Sequence, residues 1–168
     1  MPDTPRWTIL VYRIPPHPTK LRLAIWRRLQ KLGALYLQDG VTLLPDRDDL
    51  TENVTYIAQS IQDVGGECHL FAASTLLPKE TEALIGKFRE QAAKGFSEIS
   101  TRLDALETAL DDKLGADELI ALEESLRRER TAFLRLKTTA HFGSDEGTAQ
   151  ESRLEELRGQ LAVQTKGN

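Results

Sequence analysis

The sequence is short of the residues on which several classes of protein depend. Its 168 residues include one cysteine, Cys68, and three histidines. A single cysteine excludes an internal disulfide and cannot build a thiolate metal site on its own. Because His17, His69 and His141 lie in separate predicted elements without the spacing of metal ligands, the sequence predicts no metal site, and we expect no cofactor.

Long hydrophobic runs and a leader segment are also lacking. No apolar run approaches the roughly 20 residues of a membrane helix, and the opening MPDTPRW has neither the charged start nor the apolar middle of a signal peptide. We therefore expect a cytoplasmic protein with no membrane partner. A composition of 40% hydrophobic and 29% charged residues is that of a globular chain with one or two folded units.

The net charge of -4 conceals a strong asymmetry along the chain. Residues 1–38 contain seven Lys or Arg and one acid, whereas residues 39–73 contain one Arg and seven acids. The remainder mixes both signs, as exposed helix faces do. Any anion-binding surface is therefore expected within residues 1–38.

Residues 1–75 are predicted to form one sheet domain. The apolar patterns predict a strand, a helix, two strands, a helix and a strand, at residues 7–14, 20–32, 35–38, 41–44, 49–64 and 67–73. Asp39-Gly40, between the two middle strands, strongly favours a two-residue hairpin turn. This order predicts an α+β fold with a ferredoxin-like (Cas2-like) four-stranded antiparallel sheet and two helices on one face.

Residues at the helix ends fit this assignment. Thr19 is expected to cap the first helix, and Gly33 is placed to stop it. Asp49 with Glu52 three residues later resembles a capping box at the start of the second helix. Pro15 and Pro16 end the first predicted strand, because proline cannot donate to a strand ladder.

Residues 76–168 are predicted to form an antiparallel helical arm. Its helices are expected at about 78–114, 117–140 and 148–164, from apolar residues at steps of three and four. Asp117 is expected to cap the second of these helices, and Thr148 with Glu151 forms a capping box for the third. The arm is expected either to pack on the sheet or to pair with another chain.

The first predicted helix concentrates positive charge. Its basic residues, which are the candidate nucleic-acid or oxyanion-binding residues, are Lys20, Arg22, Arg27, Arg28 and Lys31. At about 100° per residue, three of them lie opposite the apolar stripe, while Arg22 and Arg28 flank it. Free N–H groups at the helix start would let Thr19, Lys20 and Arg22 converge on a tetrahedral oxyanion or a DNA phosphate. The alternative is a solvated face whose arginine stems pack along the core edge.

Aromatic residues, at 6% of the chain, offer little evidence of base recognition. Trp26 lies at the edge of the apolar arc and is interpreted as a core or interface residue rather than a base-stacking platform. Tyr12 and Tyr36 are interpreted as sheet residues. No helix-turn-helix pattern is evident, so any DNA binding is expected to involve phosphates rather than base edges.

One stretch closely resembles a known family. The segment RIPPHPTKLRLAIWRRLQKLGALYLQDGVTLLP, followed by an amphipathic helix and GGECHLFAA, resembles the N-terminal domain of ChrB, the chromate-resistance regulatory protein. That family has a proline after the first strand, a basic helix of the form RLRVAVWRRLKRLGA and a hairpin strand of the form LQDGVWLLP. The close match covers about residues 7–75 and departs at Thr42, where the family commonly has Trp.

The resemblance implies a transcriptional regulator of chromate resistance, with DNA and chromate as expected partners. Longer family members add a C-terminal domain, so a separately encoded partner carrying that domain is also expected. Pairing through the helical arm would give a homodimer instead. The element order is similar as well to the middle domain of phenylacetate-responsive repressors and, more distantly, to the CRISPR integration nuclease Cas2.

Kinship with a nuclease raises the question of catalysis. Those nucleases place an aspartate at the end of the first strand to hold a divalent cation. Arg13 lies at the corresponding position here, and a guanidinium cannot ligate a cation. Asp46, Asp48 and Asp49 form the only dense acidic cluster nearby, and a turn and helix start account for them. We therefore expect no enzyme activity.

Two classes of function remain open from the sequence. The first is a ChrB-like regulatory protein that binds DNA or an oxyanion through the basic helix. The second is a non-catalytic interaction or dimerisation module without a ligand, in which the cationic face is merely solvated. A Cas2-like nuclease is the least favoured alternative.

Overall fold

The computed structural model describes residues 5–17, 19–110 and 114–167. The chain divides into two compact units, Met1–Phe88 and Arg89–Asn168. The division falls inside a long helix, whereas the sequence analysis expected a boundary after residue 75, directly behind the last strand.

The first unit has the element order expected from the sequence. Its strands and helices are β1 (Trp7–Arg13), α1 (Thr19–Lys31), β2 (Leu35–Gln38), β3 (Val41–Pro45), α2 (Asp48–Asp63), β4 (Glu67–Ala73) and the start of α3 (Pro78–Leu110). The strands form one sheet in the order β2-β3-β1-β4, and every neighbouring pair is antiparallel. The ferredoxin-like α+β fold is confirmed.

Strand register decides which residues face the two helices. Leu10 of β1 is paired with Thr42 on one side and Leu70 on the other, so these three side chains share a face of the sheet. The core on that face is formed by Leu10, Ala34 and Leu44 with apolar residues of α1 and α2, namely Ile25, Leu29, Leu50, Val54, Ile57, Ala58 and Ile61. The opposite face carries Trp7, whose ring stacks on Phe88 at 5.9 Å between centroids.

Glycines fix two turns of the first unit. Gly33 has φ +71° and follows α1, which confirms that it stops this helix. Gly40 has φ +72° in the predicted hairpin turn between β2 and β3. Both conformations lie in the left-handed region, where a residue without Cβ is favoured.

Two of the expected helix caps in the first unit are wrong. Thr19 is the first residue of α1 rather than the residue before it. Helix α2 begins at Asp48 with Arg47 at the N-cap, so Asp49 lies within the first turn and does not form a capping box with Glu52. The Asp49 carboxylate instead accepts two hydrogen bonds from Arg47, at 3.1 and 2.8 Å.

The second unit contains the rest of α3 with α4 (Ala116–Thr139) and α5 (Asp145–Gly167). Contacts between polar residues establish the helix directions. Lys137 pairs with Glu151, and Thr165 with Glu123, so residue numbers fall along α4 as they rise along α5. Arg102 of α3 pairs with Glu129 of α4, and the close approach of Gly95 to Leu136 gives the same opposite direction. The helices therefore run up, down and up.

The apolar residues of this unit are buried among its own three helices. The core contains Ala92, Phe96, Ile99, Leu103, Leu110, Leu119, Phe133, Leu154, Leu157 and Leu161. Leu106 and Leu126 belong to the apolar pattern of the arm that was expected either to pack on the sheet or to pair with another chain, and both pack against this core. The leucine pattern is thus accounted for within the unit.

Helix α3 begins at Pro78 as expected, whereas the starts of α4 and α5 differ from expectation. Helix α3 is described to Leu110, residues 111–113 of its expected span lie outside the described residues, and the expected last residue, Leu114, is not helical. The predicted cap Asp117 lies in the first turn of α4, whose N-cap is Gly115. The capping box of Thr148 and Glu151 is wrong, because α5 already begins at Asp145 and Glu151 binds Lys137 instead.

Candidate functional site

Helix α1 presents three surfaces besides its buried stripe. Ile25 and Leu29 are buried one turn apart and hold the helix on the sheet. At about 100° per residue, the five basic residues must then point in different directions around the helix. They divide into an outward face, a side toward α2 and a side toward β1 and β2.

The outward face consists of Lys20, Arg27 and Lys31, all of which are exposed. Within the part of the chain that the structure describes, none of the three forms a salt bridge. Acids of residues 39–73 therefore do not neutralise this face. Three solvated positive charges on one side of a helix are free to contact the phosphates of a polyanion.

Arg28 lies on the side toward α2. Its Nη1 donates a hydrogen bond to Ser60 Oγ at 3.1 Å, and its guanidinium carbon is 6.0 Å from the centre of the Tyr56 ring. Both partners belong to α2, and an exposed cation–π contact contributes about 0.5–1 kcal/mol. Arg28 therefore links the two helices and is less available for a ligand than the outward face.

Arg22 lies on the side toward the strands. Its Nη2 is 3.9 Å from Asp39 Oδ2, and the two side chains are 51% and 95% exposed. A pair this long and this solvated contributes between about 0 and 1 kcal/mol. The guanidinium can therefore exchange Asp39 for a better-placed anion at small cost.

A cleft of about 600 Å³ opens beside Arg22, and we name it the aromatic cleft. Its lining residues are Tyr12, Arg13, Ile14, Thr19, Arg22, Leu23, Trp26, Tyr36, Asp39 and Gly40. They come from β1 and the residue that follows it, from α1, from β2 and from the hairpin turn of the first unit. Its volume is in the range of small-molecule sites, about 300–1,000 Å³, and such sites are likewise mostly apolar with a few polar groups.

Two tyrosine hydroxyls meet inside the aromatic cleft. Tyr12 Oη donates a hydrogen bond to Tyr36 Oη at 3.5 Å. Burial raises the pKa of Tyr36 well above its ordinary value. Tyr36 is therefore a neutral phenol, and its own proton remains available to an acceptor on a ligand.

The hairpin turn is held tightly against β1. The Tyr12 backbone N–H donates to the Gly40 carbonyl at 2.7 Å. A Cβ on Gly40 would lie 2.3 Å from the Tyr12 carbonyl oxygen, far inside contact distance. Glycine at this position therefore lets the turn approach β1 and keeps Tyr12 and Asp39 on the same cleft.

Sequence reasoning missed the cleft and the exposure of its aromatic wall. Trp26, interpreted there as a core or interface residue, is 43% exposed, as is Leu23. Both line the cleft beside Arg22. The available signal was angular, because projection of α1 puts Trp26 about 40° from Arg22, and about 60° from Leu29 and 100° from Ile25 in the buried stripe.

The acidic residues around α2 have structural partners. Asp46 Oδ1 accepts hydrogen bonds from the hydroxyls of Thr8 and Thr51, and Oδ2 lies 3.3 Å from Arg6 Nε. The hydrogen bonds from Arg47 lower the pKa of the exposed Asp49 carboxyl. Across the described ranges, no group of three or more His, Cys, Asp or Glu is placed to hold a metal ion.

Arg13 of β1 and Cys68 of β4 lie at the end of the sheet where these two strands pair. Arg13 Nη2 is 3.0 Å from Glu67 Oε2, with both groups exposed. The Cys68 thiol donates to the Ala58 carbonyl at 3.3 Å, and burial raises its pKa. A thiol with a raised pKa is a poor nucleophile.

Neither unit has a described helix that is both long and apolar enough to cross a membrane. The helices that are long, α3, α4 and α5, are interrupted throughout by charged residues.

Comparisons with known proteins place the chain in one family. No curated protein matches it. Among solved structures, it is similar to the uncharacterized protein Rv0674 from Mycobacterium tuberculosis, with 13% identity and a TM-score of 0.45 over 97% of this chain. The chain spans 63% of the length of that protein. A family model described as "Protein ChrB, N-terminal" matches residues 22–166, from Arg22 in α1 almost to the end of α5. Since the match covers most of the chain, this protein belongs to the ChrB N-terminal family.

Proposed function

We propose that this protein is a transcriptional regulator of chromate resistance that binds DNA phosphates through the outward face of α1. Membership of the ChrB N-terminal family supports a chromate-resistance-related regulatory role. The observation that carries the DNA-binding part is the outward face itself, on which Lys20, Arg27 and Lys31 are exposed and without a salt-bridge partner among the described residues. We infer a binding protein and not an enzyme, since Arg13 occupies the strand end where related nucleases hold their cation.

The spacing of these residues suits a phosphate backbone. Lys20 and Lys31 are eleven positions apart, which corresponds to about 16 Å along a helix axis. One strand of B-DNA carries roughly five phosphates over that length, at about 3.4 Å of axis each. Three long, flexible cationic side chains can each reach a different phosphate. Such contacts fix position on the duplex without reading its sequence.

DNA binding by this face is tested with matched variants. We expect the triple variant Lys20→Ala, Arg27→Ala, Lys31→Ala to bind a labelled duplex roughly tenfold or more weakly than the wild type at low salt. The control is Lys79→Ala, Lys87→Ala, Lys94→Ala, which removes the same charge from exposed positions of α3 and should retain affinity. Fluorescence anisotropy measures both. Equal weakening in the two variants would mean that net charge, and not the outward face, governs binding.

Chromate is the second proposed ligand, and its expected binding residues do not all lie on one surface. The sequence suggested that Thr19, Lys20 and Arg22 converge on one oxyanion. Thr19 and Arg22 line the aromatic cleft, whereas Lys20 lies on the outward face. Direct binding predicts a rise in melting temperature with chromate that chloride at equal ionic strength does not produce. The Arg22→Gln variant should lose that rise if the cleft is responsible.

The alternative of a dimerisation module without a ligand needs a different surface from the one expected. Leu106 and Leu126 are partly buried in the internal packing of the second unit, so replacing them by Asp would destabilise the unit and would not by itself identify a dimer interface. An interface on α4 and α5 would have to use their exposed apolar residues Ile120, Leu134 and Val163. Native mass spectrometry tests this alternative, since a monomer would exclude the obligate dimer, whereas a dimer is compatible with both functions.

A further inference from the structure

We propose that the aromatic cleft binds a nucleotide, with the base against Trp26 and the tyrosines and the phosphate on Arg22. This site uses different side chains from the outward face, so it does not depend on DNA binding there. The shared chemistry of the ligand is a planar ring joined to an anionic oxygen group and to hydrogen-bond donors. A free mononucleotide and one unstacked nucleotide of a single strand both offer it.

The walls of the cleft are suited to a planar ring. Leu23 and Trp26 are each 43% exposed, although both belong to a helix whose other large apolar residues are buried or partly buried. Tyr12, Ile14 and Tyr36 complete an apolar and aromatic lining on the opposite, strand side. Exposed apolar surface in a concave site is a mark of ligand binding. Stacking of one base on aromatic side chains contributes about 1–3 kcal/mol, whichever base is bound.

The polar groups of the cleft fit the remaining parts of a nucleotide. Arg22 offers a planar pair of donors to a phosphate, and its present partner Asp39 is 3.9 Å away and highly exposed. Tyr36 has a phenol proton to donate to a further acceptor. The Asp39 carboxylate accepts hydrogen bonds from a ribose hydroxyl or a base amino group. Arg13 also lines the cleft, but its guanidinium is paired with Glu67 at 3.0 Å.

These groups together distinguish a nucleotide from simpler ligands. A bare oxyanion such as chromate would contact Arg22 but should bind more weakly than a nucleotide, because it leaves the aromatic walls in water and lies near the Asp39 carboxylate. An uncharged aromatic compound would leave Arg22 and Asp39 unused. A ligand with a ring, an anion and neutral donors is the one that satisfies every part of the lining.

The test begins with the full chain and tryptophan fluorescence. The chain has two tryptophans, and Trp7 is 1% exposed, so quenching by a ligand in solution reports mainly on Trp26. The probes are the four common nucleoside monophosphates, inorganic phosphate and a short single-stranded oligonucleotide. We expect saturable quenching by at least one nucleoside monophosphate or by the oligonucleotide, and none by phosphate.

Variants then assign the binding to the cleft, by calorimetric titration of whichever probe binds. We expect Trp26→Leu and Arg22→Gln each to raise Kd at least about tenfold, consistent with the loss of one stacking or charged contact. The matched controls are Tyr56→Leu, an aromatic residue on α2 that is 70% exposed, and Arg135→Gln, an exposed arginine of α4 that belongs to neither proposed surface. Both controls should leave Kd within about twofold. Circular dichroism confirms that each variant is folded.

Every outcome of these titrations either supports or overturns nucleotide binding in the aromatic cleft. Binding by the monophosphates identifies a free nucleotide, and binding by the oligonucleotide alone identifies a strand, provided that Trp26→Leu abolishes it. No binding by any nucleotide probe, displacement by phosphate at equal affinity, or binding that survives Trp26→Leu would overturn the proposal. The outward-face triple variant separates the two hypotheses, because it should lose duplex binding while retaining nucleotide binding.

Discussion

Replacement of Gly40 by Ala tests the turn that frames the aromatic cleft. Gly40 has φ +72°, and its added Cβ would lie 2.3 Å from the Tyr12 carbonyl oxygen. Because that oxygen belongs to the backbone, the turn must move away from β1. The hydrogen bond from the Tyr12 N–H to the Gly40 carbonyl, now 2.7 Å long, would then lengthen or break.

The expected loss of stability follows from these two effects. A left-handed conformation costs a residue with a Cβ about 1–2 kcal/mol, and a lost backbone hydrogen bond costs about 0.5–1.5 kcal/mol. We therefore expect Gly40→Ala to lower the free energy of unfolding by about 1.5–3.5 kcal/mol. Urea denaturation followed by tryptophan fluorescence measures it, since Trp7 and Trp26 both belong to the first unit.

Gly65→Ala is the matched control for backbone conformation. Gly65 has φ +78°, and a Cβ there would meet no atom within 4 Å. Gly65→Ala should lower the free energy of unfolding only by the cost of the left-handed conformation, about 1–2 kcal/mol. Both substitutions reduce the entropy of the unfolded chain equally, so this effect cancels in the comparison. Equal destabilisation by the two substitutions would refute the close contact between the turn and Tyr12.

Two further predictions concern Tyr36 and Arg153. Because the pKa of Tyr36 is raised in the folded protein, the folded state keeps a proton that the unfolded chain loses above about pH 10. The free energy of unfolding should therefore fall as pH rises above about 10, by up to about 1.4 kcal/mol per pH unit. Urea titrations at pH 9 to 11 should show a shallower fall for Tyr36→Phe, and parallel curves would contradict the assignment. Arg153 is 24% exposed and binds Asp104 and Glu107 of α3, the latter at 2.7 Å. Arg153→Met should lower the unfolding free energy by about 1–3 kcal/mol, whereas Arg158→Met, whose pair with Glu155 is 3.5 Å long and exposed, should change it little.

The elements of the first unit could be predicted because local signals agree with one another there. The limits of β2 and the start of β4 follow from short apolar runs next to glycines, and the Asp39-Gly40 turn fixes how β2 and β3 are joined. Gly33 ends α1 for the same conformational reason. A backbone conformation that favours glycine can therefore be located from the position of the glycine in the sequence.

The starts of helices could not be placed with the same reliability. Asp49 and Thr148 are each followed three residues later by Glu, but both lie a turn or less inside helices that begin earlier. The carboxylates bind arginine or lysine instead, as Glu151 does with Lys137 at 2.8 Å. A capping box is a weak signal wherever the same residue types also form surface pairs.

The two parts of the candidate site differ in what the sequence could reveal. The arrangement of cations around α1 depends on helical periodicity, so Lys20, Arg27 and Lys31 could be assigned to one face before the structure was known. The aromatic cleft combines residues from three segments that are separated along the chain, at 12–14, 19–26 and 36–40. Only the strand register and the tight hairpin turn bring those segments together.

The most direct test of phosphate binding by α1 is the dependence of DNA affinity on salt. Each phosphate contact contributes about 0.9 to the slope of log K against log salt concentration, so removing Lys20, Arg27 and Lys31 should reduce the slope by about 2.7. Between about 50 and 200 mM salt, the wild type should then lose roughly 40-fold more affinity than the triple variant. Parallel salt dependences for the wild type and the variant would contradict the assignment of the outward face as the DNA-binding surface.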